Sequence, residues 1–550
     1  MCLVAGPPKE ADEGKAKATT KSSADKANAG LSDRTKRVAA RKQSQRALDI
    51  TAVAIEGRHR VSHGETLFFH VASPGGGNIV VSGRVKVVGT PLPHLTAATL
   101  EAAWCVLQRR HTRLRAWIAE TTPGKWSLPF GAAPAADATA CDVPPQSVEA
   151  IAVATAEQAD EAMREAEHRL LHTTFERNVE KVPVSLCIIH HSGTGSYRLV
   201  LGVTHVLADL QAAHHAFREL VQSLGPVAFG RPPPQPPASP THPDPLPAGV
   251  EELSMPDHVP PSERGMWNFL MHGGVGAARQ MLGMGKYNKA LAWAIGPTEQ
   301  PETCRVVNVD LTESETRGVA AAAKLNGTTV HGLLSAVALH AVRSAVNGHP
   351  DKLAAAQSVA RRGEITMPLT TTVDLRRRIR DPATPLPPDL QGNLSAALAT
   401  CMAVPLAVPD SGLDELALWE HARTSRDLQL ASLAKRGYVK MLTVVEKMSH
   451  SSMRNMAQDV GKKPMLAPVT LGNAGVLPEL PADGCEIETL TIAFNNFARV
   501  VYVCVATYRG VMRLTMSSSA VGLVDLEFVA GYFARTLRQV AGTSAGGEGD

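Results

Sequence analysis

The chain has 550 residues, of which 44% are hydrophobic, 20% charged and only 4% aromatic; mean hydropathy is −0.06. This is a globular composition with room for two or more domains, which excludes a fibrous or wholly disordered chain. Net charge is +4. Residues 1–47 carry 11 Lys/Arg against 5 Asp/Glu, so the rest of the chain carries about −2 and the basic balance is no footprint of nucleic-acid binding.

The chain opens on a segment without aromatic residues and with few branched aliphatics. Residues 1–47 therefore read as a disordered basic tail, with a transit peptide as the sharper alternative. No apolar run reaches ~18 residues, so no transmembrane segment is expected. Eight scattered cysteines show no C-x-x-C spacing. Reduced, buried thiols and a cytoplasmic setting are the expectation, with organelle import through the tail as a variant.

Asn78–Val88 alternates in part and reads as a strand. Thr96 is placed to cap a helix to about Arg110, with Leu100, Ala103, Trp104 and Leu107 on one face. The run Arg110-His111-Thr112-Arg113-Leu114-Arg115 then leads into an expected strand at Leu114–Ile118. Thr155–Asn178 reads as a charged surface helix, and Val182–His190 with Tyr197–Thr204 as a hairpin.

The second hairpin strand ends on Thr204-His205, and Asp209 follows four residues later. Apolar positions at Ala212, Ala213, Ala216, Phe217, Leu220, Val221 and Leu224 then mark a helix. The pattern delivers His205 to a strand end and sets Asp209 as the helix cap, where a carboxylate meets free N–H groups.

Gly225–Ser262 is proline-rich and reads as a polyproline-type connector. Ser262–Trp293 is expected to be helical and Met-rich. Cys304–Asp310 is a strand, Thr312 opens a capped helix, and Thr328–Ala345 is a long apolar helix. Ile365–Leu375 is strand-like and runs into Arg376. After Gln391-Gly392-Asn393 come a strand to about Val404, a helix from Leu413, and strands at Val469–Asn473, Val500–Tyr508 and Val511–Ser517. The last helix is Val524–Leu537.

Four pieces fall in one order: RHxxLR at 110–115, HxxxD at 205–209, VDLRRR…GN at 373–393 and TLGN at 470–473. Together they resemble the CoA-dependent acyltransferase superfamily, close to its alcohol acetyltransferases and condensation domains, over about residues 60–540. The resemblance implies an α/β (α+β) fold of two chloramphenicol-acetyltransferase-like lobes. Their mixed, mostly antiparallel sheets would be packed with helices, with a tunnel between. The domain reading is a tail at 1–47, an N-terminal lobe at 48–225, a linker at 226–262, a C-terminal lobe at 263–540 and a tail at 541–550.

The implied activity is acyl transfer from acyl-CoA to a hydroxyl or amine, with His205 as general base. Asp209 would be structural, paired with Arg376. Asn393 is a further supporting residue, and Thr470, Asn473 and Ser517–Ser519 are candidates for the oxyanion. His111 reads as a structural residue at a helix end, with catalytic base as its alternative. No bound cofactor and no metal are implied, since acyl-CoA is a co-substrate. The partners are then acyl-CoA and a small-molecule acceptor, with no nucleic acid, and the protein a monomeric pseudodimer. Thr204 replaces the second histidine of many relatives, Leu210 replaces their glycine, and the D-F-G-W-G motif of the plant branch is missing. Three other readings stay open: a free-standing condensation-type enzyme using a carrier-protein thioester, a non-catalytic protein on the same fold, and a metallohydrolase using His205 and Asp209.

Overall fold

The computed structural model describes residues 55–60, 77–88, 95–122, 125–135, 140–191, 195–231, 303–347, 353–354, 357, 360, 363–376, 395–405, 414–435, 437–438, 469–479, 484–495, 500–518 and 525–545. The expected helix at Ser262–Trp293, most of the proline-rich connector, Asn393, Ser519, the N-terminal tail and residues 546–550 lie outside these residues; the first five residues of the expected C-terminal tail, 541–545, are instead the end of the last helix.

In chain order the strands of the first half are β1 (Ile55–Arg60), β2 (Asn78–Val87), β3 (Ala119–Thr122), β4 (Lys125–Gly131), β5 (Pro145–Val153), β6 (Val182–His191) and β7 (Ser196–Thr204). Its helices are α1 (Ala97–Arg110), α2 (Ala156–His172) and α3 (Leu210–Ala228). The second half adds β8 (Arg305–Leu311), α4 (Glu313–Leu325), α5 (Val330–Asn347), β9 (Glu364–Asp374), β10 (Ser395–Pro405) and α6 (Glu415–Ala434). It ends with β11 (Val469–Val476), β12 (Cys485–Phe494), β13 (Val501–Tyr508), β14 (Val511–Ser518) and α7 (Leu526–Ala545).

The strands form a five-stranded sheet, β12-β2-β7-β6-β5, a six-stranded sheet, β10-β9-β11-β13-β14-β8, and a small β1-β4-β3 sheet. Pairing is antiparallel except at β5–β6, β9–β11 and β11–β13. This is the mixed, mostly antiparallel architecture with packed helices that the resemblance implies.

Strand β7 is buried along nearly its whole length because both faces of its sheet are covered. On one side α1 and α3 bring Trp104, Leu107, Phe217 and Leu220 into a core with Leu199, Leu201 and Val203. On the other, α2 packs Leu170 and Leu171 against Val200. The approach is close enough that a Cβ on Gly202 would lie 3.0 Å from that of Leu170.

The edge strand of the five-stranded sheet comes from the second half of the chain. Strand β12 pairs antiparallel with β2, from Cys485↔Val87 to Phe494↔Ile79. Its side chains Ile487, Leu490, Ile492 and Phe494 join the core of the first half. The second core lies between the six-stranded sheet and α4, α5, α6 and α7, around Leu333, Val337, Val503, Leu514 and Phe533.

Three further expectations are corrected. Leu114–Ile118 is not a strand: Thr112–Arg115 forms a 3-10 turn, and the strand begins at Ala119. Arg113, Leu114 and Arg115 are all buried there, and burial on every side gives no alternation to distinguish strand from turn. Helix α3 runs through Gly225 and Pro226 to Ala228, so helix continues where the connector was placed. Finally, Cys105 and Cys141 are joined as a disulfide, Cα atoms 5.5 Å apart, against the expectation of reduced thiols throughout. They are 36 residues apart, and nothing in their spacing announces the pairing.

Candidate active site

His205 is the first residue beyond β7, in a turn that ends where Asp209 caps α3. The turn is held at its start, its middle and its far end. Its start is fixed by the His205 N–H, which donates to the Gly77 carbonyl at 2.9 Å. Gly77 has φ +76°, a left-handed conformation that suits glycine. Its own N–H donates to Asn495, the residue after β12, at 3.0 Å. The side chains of Asn78 and Asn495 donate to carbonyls at the end of α2: Asn78 to Thr173 at 2.7 Å, Asn495 to Leu171 at 2.8 Å. Three strand ends and a helix end are thus stitched together beneath the histidine.

The middle of the turn is held by Arg113, whose guanidinium donates to the Val206 carbonyl at 3.0 Å. Arg113 is only 1% exposed. Its neighbour His111 pairs with Glu219 of α3 at 2.7 Å, and Arg110 reaches the same carboxylate at 3.2 Å. The RHxxLR run therefore anchors both the turn and the helix that follows it.

The far end is held by Asp209. One oxygen accepts from the Ala212 N–H at 2.9 Å, as an N-cap does. Arg376, just beyond β9, donates from one nitrogen to Oδ2 at 2.8 Å and from the other to Oδ1 at 3.0 Å. This fork is the bidentate geometry that suits guanidinium and carboxylate. Asp374 accepts from Arg376 as well, at 3.0 Å. Burial disfavours the Arg376 cation, but Asp209 and then Asp374 outweigh it and hold its pKa above the usual range. Both Asp209 oxygens are therefore engaged by a cation, which removes the carboxylate as a metal ligand. Among the described residues no group of three or more His, Cys, Asp or Glu is placed to hold a metal.

His205 is 9% exposed. Its ring meets Phe494 edge-on, centroids 5.2 Å apart, and Phe494 packs on Tyr502 at 4.9 Å. Burial pushes its pKa below the ordinary histidine value; Asp209 and backbone hydrogen bonds at His205 and Ala208 oppose the shift. The imidazole is thus poised in its neutral, proton-accepting form near neutral pH.

The other candidates lie on β11 and β14. Asn473 accepts from the Gly475 N–H at 2.8 Å, closing a bulge in β11. Thr470 lies on β11 opposite Thr370 and Tyr502. Ser517 donates its hydroxyl to the Phe494 carbonyl at 2.6 Å, so its one proton is already committed. Phe494, Tyr502 and Arg113 are site residues that the motifs did not single out.

Residues 300–497 match the family model for the phthiocerol/phthiodiolone dimycocerosyl transferase C-terminus. Solved structures align over most of the chain. The polyketide synthase associated protein 5 from Mycobacterium tuberculosis is 16% identical, with 88% of this chain and 97% of that one covered and a TM-score of 0.55. The trichothecene 15-O-acetyltransferase from Fusarium sporotrichioides is 12% identical, with 89% and 97% covered and a TM-score of 0.60. The chain shares the fold of these structures. A starter condensation domain of rhizomide synthetase, solved in complex with C8-CoA, has the same fold: 12% identity, 89% and 95% covered, TM-score 0.51. No curated protein sequence matches the chain. The matched segment holds Arg376 and β12 but not His205.

Proposed function

We propose that the protein transfers an acyl group from acyl-CoA to a hydroxyl or amine acceptor, with His205 as general base. The observation that carries this reading is a buried imidazole at a rigid strand end, on a turn locked by the Asp209–Arg376 pair.

The chemistry follows from the donor. A thioester is already activated, so no acyl-enzyme is needed. His205 takes the proton from the acceptor as its oxygen or nitrogen attacks the thioester carbonyl. The tetrahedral intermediate collapses, the carbon–sulfur bond breaks, and the imidazolium returns the proton to the departing thiolate. General-base assistance of this kind is typically worth ~10²–10⁴-fold. Asp209 takes no proton in this scheme: it fixes the turn. Acyl-CoA acts as co-substrate and no bound cofactor takes part.

A carrier-protein thioester as donor is the second reading, favoured by the several condensation domains among the structures that share the fold. Incubation with mixed acyl-CoAs and a cell extract, followed by mass analysis for a new ester or amide, tests the proposal. A new product that depends on acyl-CoA supports it. A product formed only with an acyl carrier protein supports the second reading instead.

A further inference from the structure

Strands β9 and β11 run side by side for only three rungs, Val469↔Leu369, Thr470↔Thr370 and Leu471↔Thr371. Both then continue, β11 beside β13 as far as Val476↔Thr507 and β9 beside β10 as far as Asp374↔Ser395. At the next rung, Gly472 and Thr372, the two strands have therefore parted. Among the described residues, the last part of β9 has a strand partner on the β10 side alone. This is the end of β9 from which Arg376 is aimed at Asp209.

Tyr502 of β13 reaches the place where that rung is missing. It stands opposite Thr470, which stands opposite Thr370, so the three side chains share a sheet face; Gly472 and Thr372, two residues on, share it too. A Cβ on Gly472 would lie 2.7 Å from the Tyr502 hydroxyl oxygen and 3.2 Å from that of Thr372, so both hydroxyls crowd over the bare glycine. Gly472 is not in the left-handed region; what it supplies is space. Tyr502 and Thr372 share a hydrogen bond, and the phenol lies close enough to the Asp209 carboxylate to interact with it electrostatically. Burial holds the phenol's pKa well above the ordinary tyrosine value, so it keeps its proton and can donate as well as accept. Its ring packs on Phe494, centroids 4.9 Å apart, and Phe494 meets the His205 ring at 5.2 Å.

We infer that Tyr502 is a positioning residue: through its hydroxyl and Thr372 it ties the parted end of β9, and with it Arg376, to the sheet beside the His205 turn. Ring and hydroxyl serve the two sides of the site. The ring backs Phe494, against which the imidazole stands; the hydroxyl sets the strand end that carries the Arg376 fork. The link from Thr372 to Arg376 is short and braced, because Arg376 donates to Asp374 from its backbone N–H at 3.1 Å and from its guanidinium at 3.0 Å. Gly472 is the gap that lets the phenol reach across β11. The inference rests on the acyltransferase reading, since Tyr502 acts on the reaction through Arg376, Asp209 and His205.

Tyr502→Phe keeps the ring and removes the hydroxyl. In acceptor-dependent release of CoA from acyl-CoA, kcat is expected to fall about tenfold with KM unchanged. Gly472→Ala should lose more, and adding Tyr502→Phe to it should bring activity back to the level of Tyr502→Phe alone, because the oxygen 2.7 Å from the new Cβ is gone. Urea unfolding gives a readout that needs no turnover: Tyr502→Phe should lower the midpoint in the parent and leave it unmoved in Arg376→Lys, where the fork is already lost. Three results overturn the inference and leave the acyltransferase reading standing: parent kcat in Tyr502→Phe, equal harm from Gly472→Ala with and without the hydroxyl, or a midpoint shift that persists in folded Arg376→Lys. If the parent protein turns over no acyl-CoA, the acyltransferase reading falls, and the unfolding comparison alone decides whether Tyr502 braces Arg376.

Discussion

Arg376 grips Asp209 with both terminal guanidinium nitrogens, at 2.8 and 3.0 Å, across 167 residues of chain. The two are 1% and 3% exposed, so neither has solvent to fall back on. Removing one member strands the other's charge, at a cost of roughly 3–5 kcal/mol. Asp209→Asn and Arg376→Met should each lose about that much in urea unfolding and lose acyl transfer with it. Arg376→Lys should not rescue, because a single ammonium cannot reproduce the fork. A stable, active Asp209→Asn protein would show that the pair does not hold the turn.

Arg113 acts on the same turn from the other side, through the Val206 carbonyl at 3.0 Å. Arg113→Met keeps most of the side-chain volume and removes the donor. A hydrogen bond to a charged group is worth about 1.5–3 kcal/mol, and that is the expected loss of stability. Because the bond positions His205 and not the substrate, kcat should fall while KM changes little. Steady-state kinetics on the folded variant would decide; a rise in KM alone would place Arg113 in substrate binding.

Protonation of His205 should switch the reaction off in acid. Burial holds its pKa below the ordinary 6.5, and only the neutral ring can accept a proton. Activity should therefore persist below pH 6.5 and decline only as pH falls through the depressed value. A kcat/KM profile records this as an acid limb with an apparent pKa under 6.5. A limb above 6.5 would contradict the burial argument.

A second histidine pair bears on stability instead. His340 of α5 is fully buried and shares a 2.7 Å hydrogen bond with His421 of α6. Burial, with Arg343 and His421 adding to it, pushes the His340 pKa down to about 3. His331, half-buried on the same helix, is pushed to about 4 by the loss of solvent around it. The unfolded chain binds these protons near 6.5, so it gains protons that the folded state refuses. The stability due to these groups is complete above pH 6.5 and is lost as pH falls from there toward 3. Urea unfolding at pH 7 and pH 5 should show the difference, and the double variant His340→Leu, His421→Leu should flatten it. An unchanged slope would assign the acid sensitivity to other groups.

Parts of this site were legible in the sequence for local reasons. The unbroken apolar run of β7 and the acidic cap before a periodic helix are signals confined to about thirty residues, and they place His205 and Asp209 correctly. Arg376 was reached only through resemblance, since no local pattern links it to Asp209. Arg113, Phe494 and Tyr502 were missed because their roles are contacts between distant segments. His111, in the same run as Arg113, is tied to Glu219 midway along α3. Strand β12 went unread because a bulge between Ile487 and Thr489 breaks its alternation. That one strand supplies the edge of the five-stranded sheet and the aromatic ring against His205, so missing it hid the link between the two halves.

The central claim is that His205 takes the acceptor's proton. Its most direct test is acceptor-dependent release of CoA from acyl-CoA by His205→Ala, with folding checked by thermal melting. The account predicts a loss of about 10²–10⁴-fold with the melting transition preserved. Release of CoA at the parent rate by a folded His205→Ala protein would contradict it.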